Sequence, residues 1–152
     1  MIKRIFQIRE QRISVSLILL LLRIVMGTAF MMHGWMKIQT PFGWVPPQAP
    51  MHIPPFFQFL AAISEFGGGI ALILGIIIPL ASFGLICTMV VAVYTNIAVF
   101  NAPFVNNTGG QSYEIALLYL CLAILFFVTG PGIFSLDRLI FGGHKRSTES
   151  NN

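Results

Sequence analysis

The chain has 152 residues, a length that suits one domain. Apolar residues make up 56% and charged residues only 9%, against about a quarter charged in soluble domains, which excludes a water-soluble globule and makes the bilayer the expected solvent. The net charge of +4 is no nucleic-acid signature, because the basic residues gather at the two chain ends rather than in a patch.

Residues 1–13 carry Lys3, Arg4, Arg9 and Arg12 between Ile2, Ile5, Phe6 and Ile13. The helical spacing of the apolar positions fits an amphipathic helix on the inner membrane surface, and a disordered basic tail fits the composition equally. A cleaved signal peptide is not expected, since Arg23 interrupts the apolar run and no small-x-small site follows.

A helix needs about 20 apolar residues to cross a bilayer. Four segments meet this, at about Ser14–Gly34, Phe56–Ile78, Pro79–Phe100 and Ser112–Thr129. The second and third are nearly continuous, and Pro79 predicts a tight hairpin at Ile78-Pro79, because proline cannot continue a helix without losing a hydrogen bond. Gly130-Pro131-Gly132 is a strong stop for the fourth. The predicted fold is therefore an all-α membrane protein, an antiparallel bundle of four transmembrane helices over residues 14–138, with a polar tail over 139–152. Lys3, Arg4, Arg9 and Arg12 flank one end, and Arg138, Lys145 and Arg146 the other, whereas Gln39–Pro55 and Asn101–Gln111 carry no charge. The positive-inside rule then puts both termini in the cytoplasm.

The loop Pro41–Pro55 holds six of the nine prolines and Trp44. Such a segment is stiff and extended; it serves either as a lid over the bundle or as an interfacial connector. Asn106-Asn107-Thr108 matches a glycosylation sequon, a motif common by chance. Cys87 and Cys121 stand alone in apolar runs and are expected to be small core residues without a disulfide.

Charges within these spans are the best pointers to a working site, because an ionised group at mid-bilayer costs a few kcal/mol. Arg23 and Glu65 interrupt the first two spans, and Glu114 stands at the mouth of the fourth. At about 1.5 Å of rise per residue, Arg23 lies roughly 13 Å and Glu65 roughly 17 Å from the inner side. An Arg23–Glu65 ion pair between neighbouring helices is thus expected, serving either as a polar clamp or as a site that carries a proton or orients a head group. Gly27, one turn after Arg23, would open room on the same face, and Gly67 to Gly69, after Glu65, would let another helix approach closely. His33, Lys37, Tyr94, Asn96 and Glu114 are candidate binding or proton-path groups in the outer half. Each also has an ordinary role, from interfacial anchor to helix N-terminal charge. His52 is expected to be solvated. No metal-ligand spacing, catalytic serine or phosphate-binding motif is present: Gly67-Gly68-Gly69 lacks a preceding strand, and His33 has no second histidine at matching depth for haem.

Arg23 with Gly27, His33-Gly34-x-x-Lys37, Glu65-x-Gly67-Gly68 leading to Leu74-Gly75 and Pro79, Glu114, and Gly130-Pro131-Gly132-x-x-Ser135-Leu136-Asp137 together resemble the DoxX family of small bacterial four-helix membrane proteins. The resemblance spans about Leu17 to Arg138. It implies a multi-pass protein of the bacterial inner membrane, related to DoxD-type subunits of thiosulfate:quinone oxidoreductases, with some relatives acting beside soluble partners in oxidative-stress defence. The candidate functional positions it implies are Arg23, His33, Lys37, Glu65 and Glu114. Many members place a histidine near the outer end of the third span, where this chain has Tyr94-Thr95-Asn96.

Three functions follow as expectations. The first is the membrane subunit of a quinone-linked oxidoreductase or redox-stress system, with Glu65 and Arg23 as its catalytic residues and no redox centre of its own. The second is a non-catalytic scaffold for soluble redox enzymes, and the third a small proton-coupled transporter. The expected partners are the lipid bilayer, a quinone, a soluble redox enzyme and further copies of the chain, with no nucleic acid.

Overall fold

Lipid offers no hydrogen bonds, so an apolar run that crosses it must satisfy its backbone within itself, as a helix does. The structure is a computed structural model that describes residues 12–141, and its apolar runs are helical. They form α1 (Ile13–Gln39), α2 (Pro55–Leu74), α3 (Ile78–Tyr94), α4 (Glu114–Thr129) and a short α5 (Leu136–Phe141). A π-helical turn, Thr95–Val99, prolongs α3, closed by the Phe100 N–H donating to Thr95 O at 3.1 Å. No strand occurs among the described residues. The predicted all-α bundle of four apolar helices is therefore present. Three of them are long and apolar enough to cross a membrane. The fourth, α4, has 16 residues, about 24 Å of helix.

The second and third spans are separated where the sequence suggests, but three residues earlier. α2 ends at Leu74 and Gly75 adopts a left-handed conformation, φ 69°. The Gly75 N–H donates to Leu72 O and the Ile76 N–H to Ala71 O, the double bond of a Schellman cap. Pro79 lies inside the first turn of α3, where its missing N–H costs nothing. Glycine, rather than proline, makes the turn. Gly130, φ 75°, ends α4 as predicted.

α1 and α2 pack through a seam of glycines. A Cβ on Gly34 would overlap the Phe66 backbone, and one on Gly69 would lie 2.6 Å from Met31 N. Gly27 meets the Gly69 carbonyl and Ile73. Only bare backbones fit at this separation, which is how membrane helices gain van der Waals contact without a hydrophobic driving force. Gly68 instead faces Leu85 of α3. The core joins Leu19, Met26 and Phe30 of α1 to Leu72, then Leu85 and Met89 of α3, and Ala123 and Phe126 of α4. Phe30 meets Tyr119 of α4 with ring centroids 5.0 Å apart.

Cys87 and Cys121 are exposed rather than in the core, correcting the expectation for both. An outward face of a membrane helix is as apolar as the interior, so composition does not separate the two. The candidate amphipathic helix over 1–13 lies outside the described residues except for its end, where Ile13 already belongs to α1; the polar tail beyond Phe141 lies outside them too.

Candidate functional site

The buried polar groups form two separate centres rather than one. The first closes the end of the bundle at the α2–α3 turn. Arg23, only 1% exposed, donates from Nε to Leu72 O at 2.8 Å and from one terminal nitrogen to Pro131 O at 2.5 Å and Phe134 O at 2.9 Å. Its other terminal nitrogen donates to Ile73 O at 3.3 Å. A planar guanidinium suits this task, because its fork of donors reaches the C-terminal carbonyls of α2 and the loop after α4 at once. Asp137 completes the clasp: its carboxylate accepts from Ile77 N at 2.8 Å and Ile78 N at 3.1 Å. It thereby caps α3 and holds Ile77 at a φ of 47°, an unfavourable value for a β-branched residue. Ser16 of α1 accepts from Ile133 N at 3.2 Å. Both ends of the described chain are thus tied to the same end of the bundle.

The second centre lies at the opposite end. Glu65 of α2, 3% exposed, pairs with Lys37 of α1 at 2.5 Å. Lys37 Nζ also stands 4.5 Å from the centroid of the Trp44 ring, within cation–π range. Trp44 belongs to the loop 40–54, which is fastened by the buried Gln58. Trp44 Nε1 donates to Gln58 O at 2.9 Å, Val45 N donates to Gln58 Oε1 at 3.0 Å, and Gln58 Nε2 donates to Ile53 O at 2.7 Å. The proline-rich loop therefore covers the bundle instead of only connecting α1 to α2.

Beneath it runs a groove of about 970 Å³ between α2 and α3, at the upper end of the range for small-molecule sites. Lys37, Trp44 and Glu65 line its loop end, with Asn96 from the π-helical turn. Its walls are apolar, and they include the exposed side chains Ile63, Leu80 and Phe83. The small residues Gly67, Gly68, Ala71, Ala81 and Gly84 leave the space. Glu65 Oε1 is taken by Lys37, whereas Glu65 Oε2 is buried and has no hydrogen-bond partner. Ser82 Oγ is the other such atom among the described residues, and Ser82 does not line the groove.

A DoxX family model matches residues 18–98, more than half of the chain. The chain belongs to the DoxX family. It is 30% identical over 122 residues to the Escherichia coli (strain K12) "Inner membrane protein YqjF", covering 80% of this chain and 90% of that one. It is 28% identical over 131 residues to the Bacillus subtilis (strain 168) "Putative oxidoreductase CatD", covering 86% of this chain and 92% of that one. No solved structure matches. With the apolar helices, the family places the chain in the bacterial inner membrane as a multi-pass protein in contact with lipid.

The expected Arg23–Glu65 pair is not formed in this DoxX protein. Gly27 beside Gly69, and Gly34 beside Phe66, set a register in which Glu65 lies level with about Trp35 and Arg23 level with about Ile77. The two are therefore roughly 18 Å apart along the bundle. Side chains on a helix also lean toward its N-terminus. On antiparallel helices that lean brings the Lys37 and Glu65 side chains together, whereas the Arg23 head is taken up by the carbonyls at the end of α2. Of the outer candidates, Lys37 and Asn96 line the groove, whereas His33, Tyr94 and Glu114 are exposed and do not. These five candidate groups accordingly do not form one continuous polar path. Glu114 occupies the first turn of α4, the position a carboxylate takes in the helix dipole field. His52 is exposed on the loop, as expected. Trp44, Gln58 and Asp137 were missed as site-forming residues. A tryptophan in a proline-rich segment, and a glutamine and an aspartate bordering apolar runs, were the signals for them.

Proposed function

We propose that this DoxX protein is the membrane subunit of a quinone-linked oxidoreductase or redox-stress system, and that the α2–α3 groove holds the quinone. The head would lie beside Lys37 and Glu65 under Trp44, and the tail between the helices. One observation carries this reading. An apolar groove of ligand size, with exposed apolar walls, ends on a buried carboxylate that has an unused oxygen. A molecule that matches it has a small polar head and a long apolar tail, and reaches the site from the bilayer. The word oxidoreductase in the name of the Bacillus subtilis relative agrees with a redox setting. The sequence offers no redox centre, so the electrons would come from a partner protein. Lysine and arginine counts put the clasp end in the cytoplasm and the loop 40–54 on the outer side.

The roles divide between the two centres. Lys37 has ammonium donors beyond the one used by Glu65, and these can reach a head-group oxygen. Asn96 adds a polar side chain on the opposite wall. Arg23, with its donors on main-chain carbonyls, fixes the turn from which α2 and α3 rise.

The test is retention of native quinone. Protein extracted with its surrounding lipid should carry quinone enriched about tenfold over the bulk bilayer, and Gly67→Phe, which puts a ring into the groove where an added Cβ meets nothing nearer than Ile63 at 4.0 Å, should lower that enrichment to the background. Wild-type protein holding no more quinone than bulk lipid would refute the reading. If a soluble redox enzyme then co-purifies equally with both forms, the scaffold role replaces it.

A further inference from the structure

The groove also carries a preference between oxidation states of its ligand, an inference that rests on the quinone reading above. Glu65 Oε1 forms an ion pair with Lys37 at 2.5 Å. An ionised carboxylate only accepts hydrogen bonds. Oε2, buried and without a partner, therefore needs a donor, and leaving it without one has a desolvation cost. Glu65 lines the groove, and the torsion about the last bond of a carboxylate side chain is broad and two-fold, so rotation about it can present Oε2 to a guest.

We infer that the site takes the reduced, dihydroxy form of the quinone in preference to the oxidised form, because only a head-group O–H can satisfy Glu65 Oε2. A quinone carbonyl has no proton to give and would set oxygen against oxygen there. An ammonium head is disfavoured for a different reason: Lys37 already neutralises the carboxylate, so a second cation meets no net charge. What remains is a neutral hydroxyl donor on an apolar tail that fits between Ile63, Leu80 and Phe83. Trp44 among the residues that line the head end favours a flat ring. Glu65 is in this sense the residue that sets the redox-form specificity, and Lys37 is the positioning residue that keeps it an acceptor.

The experiment measures the affinity of the full chain in lipid nanodiscs for decylubiquinol and decylubiquinone, by equilibrium partitioning under anaerobic conditions. One charge-assisted hydrogen bond gained or lost corresponds to roughly tenfold or more in affinity, so the quinol should bind about tenfold tighter. Glu65→Gln offers an amide donor in place of the second oxygen, and the ratio should fall to unity or invert. Glu65→Asp keeps an acceptor, and should keep the preference for quinol at lower affinity. Farnesol, a hydroxyl on an apolar tail without a ring, should compete at least tenfold more weakly than the quinol. Wild-type binding that is equal for the two forms, or tighter for the quinone, overturns the inference while leaving the quinone site standing. So does an unchanged preference in Glu65→Gln, and so does equal competition by farnesol, which would make the site a general one for hydroxylated lipids. Should Glu65→Gln fail to fold, the wild-type ratio and Glu65→Asp decide alone. Absence of binding by either form refutes the quinone reading itself.

Discussion

Replacing Arg23 by methionine keeps a long apolar stem and removes every donor of the clasp. Three carbonyls then lose a charged partner with no evident substitute: Pro131, Phe134 and Ile73, whose usual helical partner, the Ile77 N–H, is committed to Asp137. Leu72 O keeps the Gly75 N–H at 3.2 Å. An orphaned buried acceptor costs about 1–3 kcal/mol, and Asp137, 1% exposed, also loses the only buried cation near it among the described residues. Some carbonyls will relax toward water at the bundle end, so the expected loss is about 3–5 kcal/mol, the lower part of the range for three orphaned acceptors. The assay is reversible unfolding in mixed micelles, titrating a denaturing detergent and following tryptophan fluorescence. A double-mutant cycle sharpens it, because residues in one network couple and distant ones add. Arg23→Met should couple to Asp137→Asn by about 1 kcal/mol or more and be additive with Glu65→Gln to within about 0.5 kcal/mol. A loss below about 1 kcal/mol, or coupling to Glu65 instead of Asp137, would refute the two-centre arrangement.

Gly34→Val should destabilise the fold by about 3 kcal/mol or more, since the added Cβ would meet the Phe66 backbone rather than a movable side chain; unchanged detergent stability would show that α1 and α2 are not in contact there. Gln58→Met should release the loop 40–54, which loses its anchors at Val45 N and Ile53 O, and limited proteolysis should cut between Thr40 and Pro54 at least tenfold faster while α1 to α4 stay intact; an unaltered cleavage rate would show that the loop is held by something else.

The sequence made the architecture legible and the site only in part. Long apolar runs, and the glycine at 130, report local requirements, because every backbone group in lipid must be satisfied nearby, although the turn expected from Pro79 is made by Gly75. Helix number and order follow from them. The inner glycines were equally readable: Gly27 and Gly69 do meet, as small residues in membrane helices do. The pairing of charges was not legible in the same way. Depth arithmetic places Cα atoms, and it used helix ends that shifted: α1 runs to Gln39, five residues beyond Gly34, and α2 ends at Leu74 rather than Ile78. Those shifts, with the lean of side chains toward helix N-termini, were enough to exchange Arg23 for Lys37 as the partner of Glu65. The role of Asp137 depends on a loop folding back over the α2–α3 turn, a contact between residues some 60 positions apart in sequence, so its place beside an apolar run marks the residue but not its partners. His33 and Tyr94 resembled site residues because their helices carry few polar groups, yet rotation about the helix axis turns them outward.

The exposed apolar walls of the α2–α3 groove set the terms on which anything occupies it. Ile63 and Phe83 belong at once to its lining and to the surface the acyl chains touch, so a guest is exchanged with the surrounding leaflet and not with buffer. Occupancy is then governed by how many such molecules there are per phospholipid, and diluting the membranes in more water leaves it unchanged. Adding empty bilayer, by contrast, would drain the groove.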